Sequence, residues 1–374
     1  MKKIVIDDAV PYAQEMFSHL GEITLIPGRD INAETVKDAD ALIVRSRTQV
    51  NESLLNGSTV SFVGSTVVGL DHIDQHYLAD QHIHFYSAQG CNANSVSEYV
   101  ISCLLYLAEE KGFQLKDKSI GIIGVGNVGK LLEQKARGLG MTVLLNDPPR
   151  QEREGLPHFV NLQTALSADI VSFHTPLTTE GAHPSYQLLN STNFHLVTPS
   201  TILINAARGG IIDETIWTQT PTLSNIIDCW ENEPNINESL YQAADIATPH
   251  IAGHALEAKI KGSSMVYEVL CQHWNETPQN HWQEKVPHPK TPLITDLEKP
   301  FQTTLFNIVR QCYDPLTDDY AIRSTRINEV YKKFEYYRRH YPTHHEWTQF
   351  DVKSGRLAAE NSCIKALGFN VLDI

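Results

Sequence analysis

A chain of 374 residues is too long for one compact core, so two or three domains are expected; 41% hydrophobic and 20% charged residues is the composition of a soluble globular protein. A net charge of −14 argues against a broad nucleic-acid surface, so an anionic substrate needs locally placed arginines. The longest apolar stretch, residues 100–108, is too short to span a bilayer, and Met1-Lys2-Lys3-Ile4-Val5-Ile6-Asp7-Asp8 meets two aspartates too early for a signal peptide. Six cysteines with no Cys-x-x-Cys pair fit reduced thiols in a cytoplasm. The histidines, including His72, His76, His82 and His84, are spaced as surface or structural residues, and no metal is expected.

In chain order, residues 4–6, 41–44, 61–63 and 83–86 read as strands, with helices near 11–20, 33–37 and 71–80. This is a βαβ rhythm without a phosphate loop. A long amphipathic helix follows over 94–110, with Asn94 or Ser95 as its cap and Glu98 placed for a capping box. A second βαβ series has strands at 119–125, 142–146, 170–174, 201–205, 225–229 and 245–248. A further helical pattern at about 254–275 can return the chain to the first domain. Residues 277–300, rich in proline, histidine and lysine, read as a linker, and 301–374 carry the periodicity of a third small domain.

Gly124-x-Gly126-x-x-Gly129 follows a strand pattern and opens a helix. Gly124 suits a tight turn, Gly126 a close approach to a pyrophosphate, and Gly129 close helix–strand packing, while the helix N-terminus offers amide donors. The next strand ends at Asp147, about 20 residues on, where an acid can bond the ribose diol and repel a 2′-phosphate. NAD is therefore expected rather than NADP. His174-Thr175-Pro176-Leu177 follows the next strand, toward the nicotinamide-ribose side.

Three further strand ends deliver ionisable groups: Asn205-Ala206-Ala207-Arg208-Gly209, Asp228-Cys229-Trp230-Glu231-Asn232-Glu233-Pro234 and Thr248-Pro249-His250-Ile251-Ala252-Gly253. Oxidising a secondary alcohol requires a hydride acceptor, a base for the hydroxyl proton, and a clamp on the substrate. A guanidinium such as Arg208 pairs bidentately with a carboxylate. The imidazole of His250 suits proton exchange near neutrality, and Glu233, which directly precedes Pro234, suits holding its far nitrogen. Singly, each has a structural alternative: a surface arginine, a turn acid, a capping histidine. Jointly, downstream of a dinucleotide loop, they point to hydride transfer.

These residues resemble the D-isomer-specific 2-hydroxyacid dehydrogenase family. The resemblance implies Arg208 as the substrate-orienting arginine, Glu233 as the partner of the histidine and His250 as the acid/base. It implies NAD contacts at Gly124, Gly126, Asn127, Val128, Gly129, Asp147, Thr175, Ala206, Ala207, Arg208, Asp228 and Gly253. The implied fold is α/β: two Rossmann-like doubly wound parallel-sheet domains with a cleft between them, plus a small α+β C-terminal dimerisation domain. Residues 1–93 and 254–285 would form a discontinuous substrate-binding domain, 94–253 the NAD-binding domain and 286–374 the homodimerising one.

Val44-Arg45-Ser46-Arg47-Thr48, Asp71-His72-Ile73-Asp74, Gly90-Cys91-Asn92-Ala93 and the long His174–Tyr186 loop look like one branch of this family. So do Cys312-Tyr313-Asp314-Pro315, Asp318-Asp319, Glu346-Trp347 and Leu367-Gly368-Phe369-Asn370 in the tail. That branch acts on a small phosphorylated 2-hydroxy acid in pyridoxal phosphate biosynthesis. Ser46 and Arg45 are its expected substrate contacts. Val67 stands where the resemblance calls for a threonine, whose hydroxyl contact is then lost or supplied by Thr66 or the backbone, and His254 stands where it calls for a tyrosine. Two rival readings are another D-2-hydroxyacid dehydrogenase, such as one for 3-phosphoglycerate, and an NAD(H)-sensing corepressor-like protein.

Overall fold

Alternating apolar runs and amphipathic segments build parallel sheets flanked by helices, as a βαβ pattern requires. The computed structural model describes residues 1–289, 291–324 and 329–373; position 290 of the expected linker, and 325–328 and 374 of the expected C-terminal domain, lie outside them. The chain divides into two compact units, residues 1–92 with 255–288, and 93–254 with 289–374.

The first unit holds β1 (Lys3–Asp7), β2 (Glu22–Ile26), β3 (Ala41–Val44), β4 (Phe62–Ser65) and β5 (His84–Ser87), all parallel, in the order β2-β1-β3-β4-β5. β3 and β4 are buried throughout, which is why they read as continuous apolar runs. β2 escapes the sequence pattern because it is the sheet edge, exposed or half-buried along its length. The helix expected over 71–80 begins only at Gln75, where the Asp74 side chain accepts from the Tyr77 N–H at 3.0 Å. The helix Leu256–Trp274 packs against β4, where a Cβ on Gly64 would lie 2.3 Å from Val266 Cγ1. Ile4, Ile6, Phe17, Phe62, Val266 and Leu270 form part of this core, each such burial contributing about 1.5–3 kcal/mol.

The second unit holds β6 (Ser119–Ile123), β7 (Thr142–Asn146), β8 (Ile170–Phe173), β9 (Ile202–Asn205), β10 (Ser224–Ile227) and β11 (Ile246–Ala247) in the order β11-β10-β9-β8-β6-β7. The order reverses between β6 and β8, the switch point at which doubly wound sheets bind ligands. Register aligns Ile123 with Phe173, Phe173 with Asn205, Asn205 with Ile227, and Ile227 with Ala247. The residues that follow, Gly124, His174, Ala206, Asp228 and Thr248, therefore emerge along one carboxyl edge.

Residues 289–374 pack into this same unit. They add a three-stranded parallel sheet of β12 (Leu293–Ile294), β13 (Asp351–Ser354) and β14 (Asn370–Asp373), and the helices Phe301–Cys312, Pro315–Arg323, Val330–Arg339 and Ala358–Leu367. Leu305, Ile308, Trp347, Ile364 and Leu367 share one core with Val100, Leu104, Leu132 and Ala136. The helix expected over 94–110 runs Ala93–Lys111, but its expected cap is redirected. The Asn94 and Ser95 side chains donate to the Glu346 carboxylate at 2.8 and 2.6 Å, while Glu98 accepts from the Trp347 N–H at 3.1 Å. Buried, charge-assisted bonds across the core outweigh a local capping box here. Among the described residues no helix is long and apolar enough to cross a membrane.

Candidate active site

Asp228 leaves β10 with a side chain only 1% exposed, and the turn after β11 wraps around it. Its carboxylate accepts from the Thr248 hydroxyl at 2.7 Å, the Ile251 N–H at 2.8 Å and the Ala252 N–H at 3.1 Å. Its own carbonyl accepts from the His250 N–H at 2.8 Å. His250 is thereby held at φ 55°, a left-handed conformation uncommon for any residue but glycine.

The partly exposed His250 ring places Nδ1 2.9 and 3.2 Å from the two oxygens of Glu233. A carboxylate only accepts, so Nδ1 is the donor of this pair and Nε2 is the ring nitrogen that Glu233 does not engage. Burial alone would raise the Glu233 carboxyl; the charge and hydrogen bond of His250, the Arg338 guanidinium and the Trp230 N–H outweigh it and hold the group below its ordinary value. The neighbouring Glu231 turns elsewhere, its N–H donating to Glu214 Oε1 at 2.7 Å.

Glu214 itself is pushed up to about 7 by burial, reinforced by the charges of Glu231 and Glu233. Between the ordinary 4.5 and about 7 the native state holds a proton that the unfolded chain has released, so stability falls as pH rises through that window. Glu214→Gln keeps the acceptor for Glu231 and removes the charge. It is expected to melt above the parent near pH 8, by up to roughly 3 kcal/mol in stability, and to lose that advantage near pH 4. Equal melting temperatures near pH 8 would contradict this.

Arg208 follows β9. The Asn205 amide donates to the carbonyls of Arg208 at 2.8 Å and Cys229 at 3.2 Å, tying this turn to the one that carries Glu233. At Gly209 the two turns meet backbone to backbone, a Cβ there lying 2.0 Å from the Trp230 oxygen. The half-buried Arg208 guanidinium donates to the Ala207 carbonyl at 2.7 Å. Arg208, Glu233 and His250 are thus brought to one edge of one sheet, with Asp228 beneath them.

The glycine loop has the geometry a dinucleotide needs. Gly124 sits at φ 88°, and a Cβ on Gly129 would lie 2.2 Å from the Gly124 oxygen, whereas one on Gly126 would meet nothing. The loop therefore opens at Gly126, at the start of the helix Asn127–Gly138. Asp147 accepts from the Val125 N–H at 2.8 Å and the Arg150 N–H at 3.0 Å, which places its carboxylate beside the loop. The Thr175 hydroxyl is buried with no hydrogen-bond partner, as is His174 Nδ1, whose Nε2 lies 2.8 Å from the Ser172 hydroxyl. Ala206 and Ala207, which follow β9, are buried, and Gly253, on the turn after β11, is half-buried. This set fits NAD.

The expected substrate contacts divide between the units. Ser46 (exposed), Arg45 and Val67 (half-buried) belong to the first, and His254, edge-on to Tyr341 at 5.4 Å, to the second. Thr66, the neighbour of Val67, is buried, with its Oγ1 3.4 Å from the Val44 carbonyl. Two cations escape the sequence reading. Lys259 in the first unit is lowered to about 8 by burial and then by the charge of Arg45. Arg338 reaches Glu233 Oε2 at 3.9 Å. Only a buried lysine on a predicted apolar helix face would have flagged the first; no local signal marks the second. Cys229, Glu233 and His250 have donor atoms within 4.8 Å of one another, but burial drives the Cys229 thiol far up and Glu233 is engaged by the imidazole, so the set reads as an acid–base pair beside a neutral thiol.

Residues 105–252 match the D-isomer specific 2-hydroxyacid dehydrogenase NAD-binding domain, and 286–368 match a domain of unknown function. The chain is 58% identical to an erythronate-4-phosphate dehydrogenase of Hydrogenovibrio crunogenus, over 99% of each chain. It is 42% identical to that of Proteus mirabilis, over 98% of this chain and 99% of the relative. Among solved structures, NAD⁺-bound 3-phosphoglycerate dehydrogenase of Entamoeba histolytica superposes with a TM-score of 0.63 at 25% identity, covering 73% of this chain and 95% of that one. D-lactate dehydrogenase of Aquifex aeolicus, complexed with NAD and lactic acid, shares the fold with a TM-score of 0.57 at 20% identity, covering 73% and 95%.

Proposed function

Since the chain belongs to the D-isomer-specific 2-hydroxyacid dehydrogenase family, we propose that it oxidises 4-phospho-D-erythronate at C2, giving 2-oxo-3-hydroxy-4-phosphobutanoate for pyridoxal 5′-phosphate biosynthesis. It is an NAD-dependent oxidoreductase. NAD, when bound, accepts the hydride of C2. Gly124, Gly126, Asn127, Val128 and Gly129 would hold its pyrophosphate on backbone amides, and Asp147 its adenosine ribose diol. Thr175, Ala206, Ala207, Asp228 and Gly253 would line the remainder.

The observation that carries this reading is the His250–Glu233 pair. Glu233 holds the Nδ1 proton at 2.9 Å, which leaves Nε2 free to take the C2 hydroxyl proton and stabilises the imidazolium that results. Arg208 clamps the C1 carboxylate and turns the reacting carbon toward the nicotinamide side. Within the first unit, Arg45 and Lys259 place two positive charges near one another, which a phosphate would neutralise. Ser46 follows Arg45 in sequence; Val67 and His254 are the other substrate contacts we assign.

A panel of 2-hydroxy acids assayed with NAD tests the substrate. The highest kcat/KM is expected on 4-phospho-D-erythronate; preference for 3-phosphoglycerate or an unphosphorylated acid would overturn the assignment. We also propose a homodimer built on residues 286–374, supported by Ile294, Leu297, Tyr320, Tyr336 and Leu357, which are 67, 58, 73, 61 and 76% exposed. Sedimentation velocity of the full chain is expected to return the mass of two chains, and a monomer at micromolar concentration would refute this. A cytoplasmic setting is supported by six buried cysteines, none of them in a disulfide among the described residues.

A further inference from the structure

The helix Val330–Arg339 lies in the segment matched by a domain of unknown function, yet it is built against the strand-end turns of the catalytic sheet. Val330 and Phe334 are buried at 2 and 1% exposure in the core formed by Ile211, Ile212, Trp217, Trp230 and Tyr241. One helical turn beyond Phe334 on the same face comes Arg338, its guanidinium 5.9 Å from the Phe334 ring centre. On either side of Arg338, the hydroxyls of Tyr337 and Tyr341 donate to the buried Asp318 carboxylate, each at 2.7 Å. The next residue, Asp319, accepts from the Ala247 N–H at 2.7 Å, at the end of β11 just before the His250 turn. The helix that carries the arginine is thus anchored through residues on both sides of it, and Arg338 Nη1 lies 3.9 Å from the same Glu233 Oε2 that accepts a hydrogen bond from His250 Nδ1 at 2.9 Å.

We propose that Arg338 is a positioning residue of the active site: its guanidinium holds the Glu233 carboxylate beside His250 and shares its charge, so that the C-terminal segment completes the constellation of its own chain. The proposal rests on the reading of Glu233 and His250 as the acid–base pair. A carboxylate between two cations favours the imidazolium less than one that faces the imidazole alone. Arg338 therefore draws on the Glu233 charge that would otherwise serve the imidazolium alone. The other charged or titratable groups about the pair are Arg208 on the turn after β9, Asp228 and the Cys229 thiol at the end of β10, Glu231 on the same turn as Glu233, and Glu214 on the helix Glu214–Gln219. Of these, the Cys229 thiol also feels the Arg338 charge, but burial is the larger cause and drives it far up with or without that charge.

The test is the pH profile of kcat/KM in the full-length enzyme. Arg338→Gln is expected to move the acid limb upward by about half a unit to one unit, lowering kcat/KM roughly three- to tenfold on the acid side of the limb. Glu233→Gln is expected to move it downward, because the imidazolium loses its carboxylate. Arg338→Lys, which keeps the charge, is expected to keep the parental limb. An Arg338→Gln profile that coincides with the parent's, or that is lowered at every pH with its limb unmoved, overturns the proposal. Should Arg338→Gln fail to fold, Arg338→Lys carries the test alone: a parental limb supports the proposal and an upward-displaced one overturns it. His250→Asn in the same assay separates the two levels of argument. If it keeps turnover, the acid–base reading falls and this proposal with it; if it loses turnover while Arg338→Gln is silent, only this proposal falls.

Discussion

Replacing His250 with asparagine is expected to lower kcat by about 10²- to 10⁴-fold while NAD still binds. Asparagine is the informative choice because position 250 sits at φ 55°, where it is tolerated and alanine is not. The loss then reports the missing base rather than a relaxed turn. The substitution leaves the glycine loop and Asp147 unchanged, so NAD affinity, read by fluorescence quenching or calorimetry, should stay near the parent's. Glu233→Gln should cost less: its side-chain oxygen can still accept from Nδ1 across the 2.9 Å contact, but the charge that stabilises the imidazolium is gone. Unchanged kcat in His250→Asn would remove the histidine from the chemistry.

Asp228→Asn is expected to destabilise the fold by about 3 kcal/mol or more and to lower kcat at least tenfold. The Asp228 carboxylate is 1% exposed and receives the Thr248 hydroxyl and two backbone N–H groups. The Tyr99 hydroxyl, 2.7 Å from Thr248 Oγ1, extends this chain into the core helix Ala93–Lys111. An asparagine has one acceptor oxygen and two N–H donors, so at least one of its N–H groups must face a backbone N–H in this buried site. The left-handed conformation of His250 persists only because its surroundings over-determine it, and these bonds are those surroundings. A urea midpoint shifted well below the parent's, together with reduced turnover, is the expected result; parental values for both would show that the turn is held by something else. Asp228 reads from sequence as a cofactor contact. In the structure its oxygens organise the protein first.

The cofactor half of the site is legible in the sequence because it is local. Gly124, Gly126 and Gly129 are read from one loop and one helix start, and the backbone alone explains their spacing. The buried strands β3, β6, β8, β9 and β10 are equally legible, since central parallel strands must be apolar on both faces. β2 is not, because an edge strand satisfies only one side of that requirement. Asn94, Ser95 and Glu98 look like a helix cap until Glu346 and Trp347 arrive from the far end of the chain to compete for them.

The same division runs through the chemistry. Residue types at the ends of apolar runs determined, without any coordinates, that an arginine, a carboxylate and a histidine would gather downstream of a dinucleotide loop. Parallel register places successive strand ends along one edge, so order along the chain becomes proximity in space. Only the tertiary structure decided which groups tune that trio. Asp228 beneath His250, Glu214 beside Glu231 and Arg338 against Glu233 meet through side chains packed across a core, and long-range packing leaves no periodicity or motif in the sequence.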